Sequence, residues 1–135
     1  MCLLNPKRIF PENDIVCYKV LKLSKDDINI FKSIYCPYNW KLNKEYETHS
    51  QPTIIDYSQY KILSDNAFHT FKSLDDAVEH RKSVVNMFSY AYSPKEIVVA
   101  KCIIPKHSCR IYEGEYIEHI SYASTSLIIK EIIKI

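Results

Sequence analysis

The chain has 135 residues, of which 47% are hydrophobic and 25% are charged, and this size and composition fit one folded domain with its own core. Its 18 basic residues nearly balance its 16 acidic residues, so the formal net charge is +2, which favours neither nucleic acid nor a membrane surface. Its apolar runs are shorter than a membrane span of about 18 residues, and its first residues lack the apolar core of a signal peptide. A soluble, cytoplasmic protein with no membrane partner is therefore expected.

The cysteines predict a reduced compartment. They are Cys2, Cys17, Cys36, Cys102 and Cys109, an odd number without a C-x-x-C pair, which favours free thiols over a disulfide framework or a zinc site. Cys17 and Cys102 lie in apolar runs and are expected to be buried, whereas Cys36 and Cys109 are expected to be more accessible. No metal and no cofactor are expected.

The chain begins with residues 1–13, which contain Pro6 and Pro11 and are predicted to be an irregular N-terminal arm. Residues 14–135 are predicted to form a single α+β domain. Its first strand is expected from Asp14 to Leu23, because this segment is rich in β-branched and aromatic residues.

A short, weaker helix is predicted over residues 24–35, because Ser24 can cap it and Ile28 and Phe31 would share one face. The polar stretch of residues 41–65 is predicted to be a long connection that holds one or two short strands, and connections of this length are often functional.

The best-defined helix is predicted from Ser73 to Phe88. Ser73 stands at the cap position, and the carboxylates of Asp75 and Asp76 follow in the first turn. The apolar residues after Leu74 recur with helical spacing, which predicts one face that packs on the sheet.

The remaining strands are predicted at residues 66–72, 96–104 and 126–135, with further short strands possible at residues 109–112 and 116–121. The segment Tyr112–Tyr116 is interpreted as a connecting turn in which Gly114 has a positive φ. The predicted fold is a mainly antiparallel β-sheet with one well-defined helix and one weaker helix packed on it.

Several motifs are spread along most of the chain: Cys17 to Val20, Pro37-Tyr38 with Trp40, Phe68 to Phe71, Leu74 to Ala77, Lys101 to Lys106 and Tyr112 to Tyr116. This pattern resembles a group of small uncharacterised proteins of Bacteroides-type gut bacteria and their phages. Such proteins usually have glycine where Ala67 stands in this chain. The resemblance implies a small accessory domain in the bacterial or phage cytosol, and it implies no known activity.

One alternative is a nucleotide-directed or NAD-directed enzyme. The segments 113–115 (Glu-Gly-Glu) and 124–126 (Ser-Thr-Ser) resemble parts of ADP-ribosyltransferases, in which a strand beginning with S-T-S and a late Glu hold NAD. The order differs here, because the Glu pair precedes the S-T-S segment and Lys19 takes the place of an Arg or His. Serine or threonine at a strand entrance and Glu in a turn are also common without any activity.

Two further hypotheses rest on single residue types. His69 alternates with Phe68 on a predicted strand and could act as an acid or base in a cleft, whereas His80, His107 and His119 are expected to be solvated. The chain also has 11 tyrosines, and adjacent aromatic and lysine residues at 18–19, 40–41 and 60–61 suggest stacking on single-stranded nucleic acid. An A/T-rich genome would encode the same composition without that function.

The interpretation that needs the fewest assumptions is a small non-enzymatic binding or accessory protein, with a protein partner or a small metabolite as its ligand. Tyrosine and tryptophan provide large contact areas at low entropic cost. The candidate binding residues are Tyr18, Lys19, Trp40, His69, Tyr112, Glu113, Glu115 and Tyr122.

Overall fold

The computed structural model describes residues 3–35, 38–48, 51–64 and 66–134, which form a sheet of twelve strands and one α-helix. The helix is α1 (Leu74–Met87). The strands are β1 (Leu4–Arg8), β2 (Ile15–Leu23), β3 (Phe31–Ser33), β4 (Asn39–Trp40), β5 (Glu45–Glu47), β6 (Ile54–Asp56), β7 (Lys61–Leu63), β8 (Phe68–Phe71), β9 (Ile97–Ile104), β10 (Ile111–Tyr116), β11 (His119–Ser124) and β12 (Ser126–Ile133).

The strand order is β5-β12-β9-β2-β8-β11-β10-β1-β7-β6, with β3 and β4 attached beside β2. All named strand pairs are antiparallel, and the longest pairing joins β2 to β9 from Ile15 to Lys22. The predicted mainly antiparallel sheet is therefore confirmed.

Helix α1 begins and ends where its sequence signals predict. The Ser73 Oγ accepts a hydrogen bond from the backbone N–H of Asp76 at 3.1 Å, and Phe88 forms the C-cap. Ala77 and Val84 are buried against β2, β8 and β9. The predicted helix from Ser73 to Phe88 is confirmed, since it differs from α1 only by the two cap residues.

The weaker helix predicted over residues 24–35 is wrong. Ser24 Oγ does accept bonds from the backbone N–H groups of Asp26 and Asp27, both at 3.3 Å, but the chain turns and returns as β3. The Asp27 carboxylate accepts the N–H of Asn29 at 2.8 Å, so this short polar side chain satisfies a backbone group that a helix would use. Ile28, assigned to the inner face, is 91% exposed.

Part of the predicted irregular arm at residues 1–13 is a strand. β1 pairs with β10 on one side and β7 on the other. Its register shifts between Leu4 and Lys7, which accommodates Pro6 because a bulge interrupts the ladder that would need its missing N–H.

The segment Tyr112–Tyr116 belongs to strand β10, so its interpretation as a connecting turn is wrong. The turn lies one step later, at Ile117 and Glu118, whose φ values are 48° and 63°. Two central residues with positive φ are typical of the hairpin turn that matches the twist of its strands. This turn usually contains Asn and Gly, which explains why Ile-Glu did not predict it.

Gly114 does not have the positive φ that was predicted. A Cβ atom at this position would lie 2.6 Å from the carbonyl oxygen of Leu4 and 2.8 Å from Cγ of Leu3. Glycine is therefore required here for the close approach of β1 to β10, because any side chain would collide with a backbone atom.

The side chains of the sheet divide between two faces, because alternate residues of a strand point to opposite sides. The face that packs around Trp40, here called the Trp40 face, includes Cys17, Leu21, Phe31, Phe68, Cys102, Tyr122, Leu127 and Ile129. The other face, here called the helix face, packs against α1 and includes Val20, Phe71, Ile97 and Val99.

The predicted burial and exposure of the cysteines are confirmed where the structure describes them. Cys17 and Cys102 are buried and Cys109 is exposed, whereas the predictions for Cys2 and Cys36 lie outside the described residues. Within the described ranges, no helix combines the length and apolar character needed to cross a lipid bilayer.

Candidate functional site

Polar side chains lie side by side across four neighbouring strands of the Trp40 face. Thr70 on β8 pairs with Tyr122 on β11, which pairs in turn with Glu113 on β10. On the other side of β8, the antiparallel register places Lys19 of β2 next to Thr70. Lys72 follows two residues after Thr70 and reaches Glu113. These five residues are here called the Thr70 site.

Glu113 connects two other members of the site. Its negative charge acts on the Tyr122 hydroxyl, and Oε2 lies 3.6 Å from the Lys72 ammonium. Burial, together with the negative charge of Glu113, raises the pKa of Tyr122 to about 12. The phenol therefore stays protonated at neutral pH and can donate a hydrogen bond.

Lys19 brings a positive charge to the surface of the sheet. Its position on β2 falls between Cys17 and Leu21, both fully buried on the Trp40 face. The Lys19 ammonium donates a hydrogen bond of 2.7 Å to the backbone carbonyl of His69. The apolar stem of the lysine can thus lie on the core while its charged end stays beside β8.

Thr70 is the most unusual member of the site. It is 0% exposed, and its Oγ1 has no hydrogen-bond partner within residues 3–35, 38–48, 51–64 and 66–134. Burying a hydroxyl in this way costs about 1–3 kcal/mol. The hydroxyl therefore lacks the partner that buried polar groups usually have.

The site has a net positive charge, because Lys19 and Lys72 contribute two ammonium groups against the one carboxylate of Glu113. The side chains of Lys72 and Glu113 are 50% and 36% exposed, whereas Thr70 and Tyr122 are buried. The site therefore opens to solvent on one side and is closed on the other.

Three of the eight predicted binding residues come together in the Thr70 site, namely Lys19, Glu113 and Tyr122. Glu115 points to the same face as Glu113 but is exposed near the end of β10. Tyr18, His69 and Tyr112 point to the helix face, so they do not share a site with these three. Tyr112 is 3% exposed and packs in a separate cluster with Leu3, Leu63 and Ala123.

Trp40 is part of the core. It is 1% exposed, and its ring lies 4.7 Å from that of Tyr38 and 4.9 Å from those of Tyr46 and Phe68. Its indole N–H donates to Ser33 Oγ at 2.9 Å, which satisfies its polar atom internally. Its contacts are those of a packing residue.

His69 is buried on the helix face and does not face an open cleft. Burial, assisted by the charge of Lys19, lowers the pKa of His69 to about 3. The imidazole is therefore neutral at physiological pH, and it cannot donate a proton there as a general acid.

The Ser-Thr-Ser segment at residues 124–126 holds the backbone together between β11 and β12. Ser124 Oγ donates to the carbonyl of Ser126 at 2.8 Å, and Thr125 Oγ1 accepts the N–H of Arg110 at 3.0 Å. All three residues are buried. Two of the three hydroxyls thus bond to the protein's own backbone.

The aromatic and lysine pairs at residues 18–19, 40–41 and 60–61 do not form a common surface. Trp40 is buried, and Tyr18 and Lys19 point to opposite faces. Tyr60 is 44% exposed, but its ring already stacks on Tyr57 at 5.1 Å. These pairs therefore do not provide one continuous row of free aromatic faces.

The prediction that His80, His107 and His119 are solvated is wrong for two of these three histidines. His80 is buried at 8% exposure, and the His119 side chain is 18% exposed and lies between Asp76 and Glu79. His107 is solvated as expected, with its side chain 66% exposed.

Sequence reasoning also missed Thr70 and Lys72 as site residues. Alternation along residues 68–72 would have placed Thr70 and Lys72 on one face, but only strand pairing shows what lies beside them.

Comparisons with known proteins give no family for this chain. No family model matches it, and no similar protein was found among the curated proteins or the solved structures. The resemblance to proteins of gut bacteria and their phages therefore stays a prediction.

Proposed function

We propose that this protein is a non-enzymatic binding module that holds a small anionic metabolite, bearing a carboxylate or phosphate group, in the Thr70 site. The observation that carries the proposal is the Thr70 hydroxyl, which is fully buried without a hydrogen-bond partner in the described chain. Buried polar groups in folded proteins almost always have a partner. A ligand oxygen or N–H group would supply it.

The charge of the site supports an anion as the ligand. The two ammonium groups of Lys19 and Lys72 exceed the single carboxylate of Glu113, which already pairs with Lys72. Ammonium groups bind carboxylate and phosphate by charge-assisted hydrogen bonds. Because Lys19 is half-buried, its interaction with an anion would be screened less than that of a surface lysine.

Binding fits the site better than catalysis because the pKa values of these groups are shifted away from neutral pH. General acids and bases work best with pKa values near the operating pH. Here burial raises the pKa of Tyr122 to about 12 and also raises the pKa of the Cys102 thiol on the same face. The pKa of His69 is lowered to about 3, and its ring lies on the opposite face.

The test is a thermal-shift screen of the full chain against carboxylates, sugar phosphates, nucleotides, cyclic dinucleotides and NAD, followed by calorimetry on each compound that stabilises. We expect at least one anionic compound to raise Tm in a concentration-dependent way. Lys19→Met and Thr70→Val should abolish that response. Lys61→Met, which removes a lysine from the edge hairpin of β6 and β7, should leave it intact.

Thr70→Val also separates a lost ligand contact from a damaged fold. Valine has the shape of threonine without the hydroxyl, so the ligand-free variant should be as stable as the wild type or more so. A compound that stabilises Thr70→Val as well as the wild type would refute the role of Thr70. Stabilisation by NAD that disappears in Glu115→Ala would favour a NAD-directed enzyme instead, and a screen with no stabilising anion would overturn the proposal.

A further inference from the structure

A second group of polar side chains lies on the opposite face of the sheet, where α1 meets the hairpin of β10 and β11. His119 Nδ1 lies 3.1 Å from Asp76 Oδ1, and His119 Nε2 lies 3.8 Å from Glu79 Oε2. One ligand atom from each residue can be chosen so that all three lie within 4.8 Å of one another. Asp76 and Glu79 are three positions apart on the helix, so they share one side of it.

The imidazole distinguishes this group from an ordinary acidic patch. His119 comes from the first residue of β11, and its backbone is fixed by pairing with Tyr116. Its ring meets Phe71 edge-on at 5.9 Å, and its side chain is 18% exposed. The nitrogen donor is thus held in place by a different element from the one that carries the two oxygen donors.

The charges of the group do not balance. Neither Asp76 nor Glu79 pairs with a Lys or Arg in the part of the chain that the structure describes. Even a protonated His119 would offset one of the two negative charges. A divalent cation would neutralise both carboxylates at once.

We propose that Asp76, Glu79 and His119 bind one divalent transition-metal ion, with zinc as the best match, and that the ion joins α1 to the β10 and β11 hairpin. Zinc accepts imidazole nitrogen and carboxylate oxygen at roughly 2.0–2.2 Å, so ligand atoms around it lie roughly 3.3–3.6 Å apart in a tetrahedron. One imidazole gives a single ion only one of its two nitrogens, and one such ligand atom from each residue lies within 4.8 Å of the other two, so the side chains would close on the ion by up to about 1 Å. The nitrogen donor favours zinc over magnesium or calcium, which prefer oxygen ligands.

The experiment uses zinc itself as the probe, on the full chain freed of metal by chelation. Equilibrium dialysis with elemental analysis should give one ion per chain, and zinc should raise Tm. His119→Ala and Glu79→Gln should each weaken binding by roughly tenfold or more. Because the Glu79 side chain is 70% exposed, its replacement should leave the fold intact, so a loss of binding there cannot be attributed to unfolding.

The matched control is His107→Ala. His107 also contacts a carboxylate, Glu45 Oε1 at 3.0 Å, but that pair has no third donor among the described residues, so this variant should bind zinc like the wild type. Cobalt provides a second readout, because thiolate ligands give a charge-transfer band in the near ultraviolet. The proposal would be overturned by that band, by binding that survives in His119→Ala and Glu79→Gln, or by the absence of stoichiometric binding.

Discussion

The ammonium of Lys19 donates a hydrogen bond of 2.7 Å to the backbone carbonyl of His69 on the neighbouring strand. The two side chains belong to opposite faces of the sheet, yet the lysine still acts on the histidine electrostatically. Its charge adds to the effect of burial and lowers the pKa of His69 to about 3. A group on the Trp40 face thus helps to keep a buried imidazole on the helix face neutral.

This relationship predicts a loss of stability in acid. The pKa of His69 is about 3 in the folded protein against an ordinary value of 6.5, so between these values the unfolded chain binds a proton that the folded chain does not. The free energy of unfolding should therefore fall as pH decreases through this window, by up to about 1.4 kcal/mol per pH unit. Urea unfolding of the wild type and of His69→Phe at several pH values measures it. The variant should show a shallower slope, and equal slopes would refute the assignment.

Gly114→Ala should destabilise the protein by about 1–3 kcal/mol. The added methyl group would collide with the Leu4 carbonyl oxygen at 2.6 Å, and a paired backbone atom cannot move away cheaply. Chemical denaturation measures the effect. Glu115→Ala changes an exposed residue of the same strand and should cost less than about 0.5 kcal/mol. A similar small cost for Gly114→Ala would mean that β1 can shift away from β10.

The turn between β10 and β11 can be improved. Ile117 and Glu118 have φ values of 48° and 63°, and a β-branched residue is poorly suited to this region. Replacing the pair with Asn-Gly should raise the free energy of unfolding by about 1 kcal/mol, measured by thermal and urea unfolding. Ile117→Val keeps the β-branched side chain and should bring no gain. An unchanged stability for Asn-Gly would argue against the positive φ values.

The single tryptophan gives an optical test of the core. Trp40 is 1% exposed, so its fluorescence should be blue-shifted and resistant to acrylamide quenching until the protein unfolds. Ser33→Ala removes the acceptor of the indole N–H and should cost about 1–3 kcal/mol, because the donor stays buried without a partner. Ser58→Ala changes an exposed serine outside this cluster and is a suitable comparison. A quenchable, red-shifted emission from the native protein would contradict the burial.

The sequence predicted those helices and strands that are determined by a pattern of neighbouring residues. The strands β2 and β9 and the helix α1 follow from their apolar periodicity, and Ser73 marks the helix start. The weaker helix failed because the Asp27 carboxylate accepts the N–H of Asn29, a group that a helix would bond to the carbonyl four residues earlier. Strand β1 was missed because Pro6 normally disfavours a strand, and the bulge that admits it depends on pairing with distant β10.

The candidate site was predictable only in part, for the same reason. Lys19, Glu113 and Tyr122 were singled out by their residue types, but nothing local indicates that Thr70 lies between them. Its position depends on the register of β8 against β11, which joins residues far apart in the chain. The sequence therefore shows which side chains have suitable chemistry, whereas the strand order is needed to show which of them lie together in one site.

The central place of β2 has a consequence for synthesis. This strand leaves the ribosome before α1 and β9, yet its longest pairing is with β9, which follows the helix in the chain. Non-local pairing is slow because a long loop must close before its contacts form. The nascent chain therefore exposes one edge of a largely apolar strand until β9 emerges, and a chaperone that covers β2 during that interval should increase the yield of folded protein.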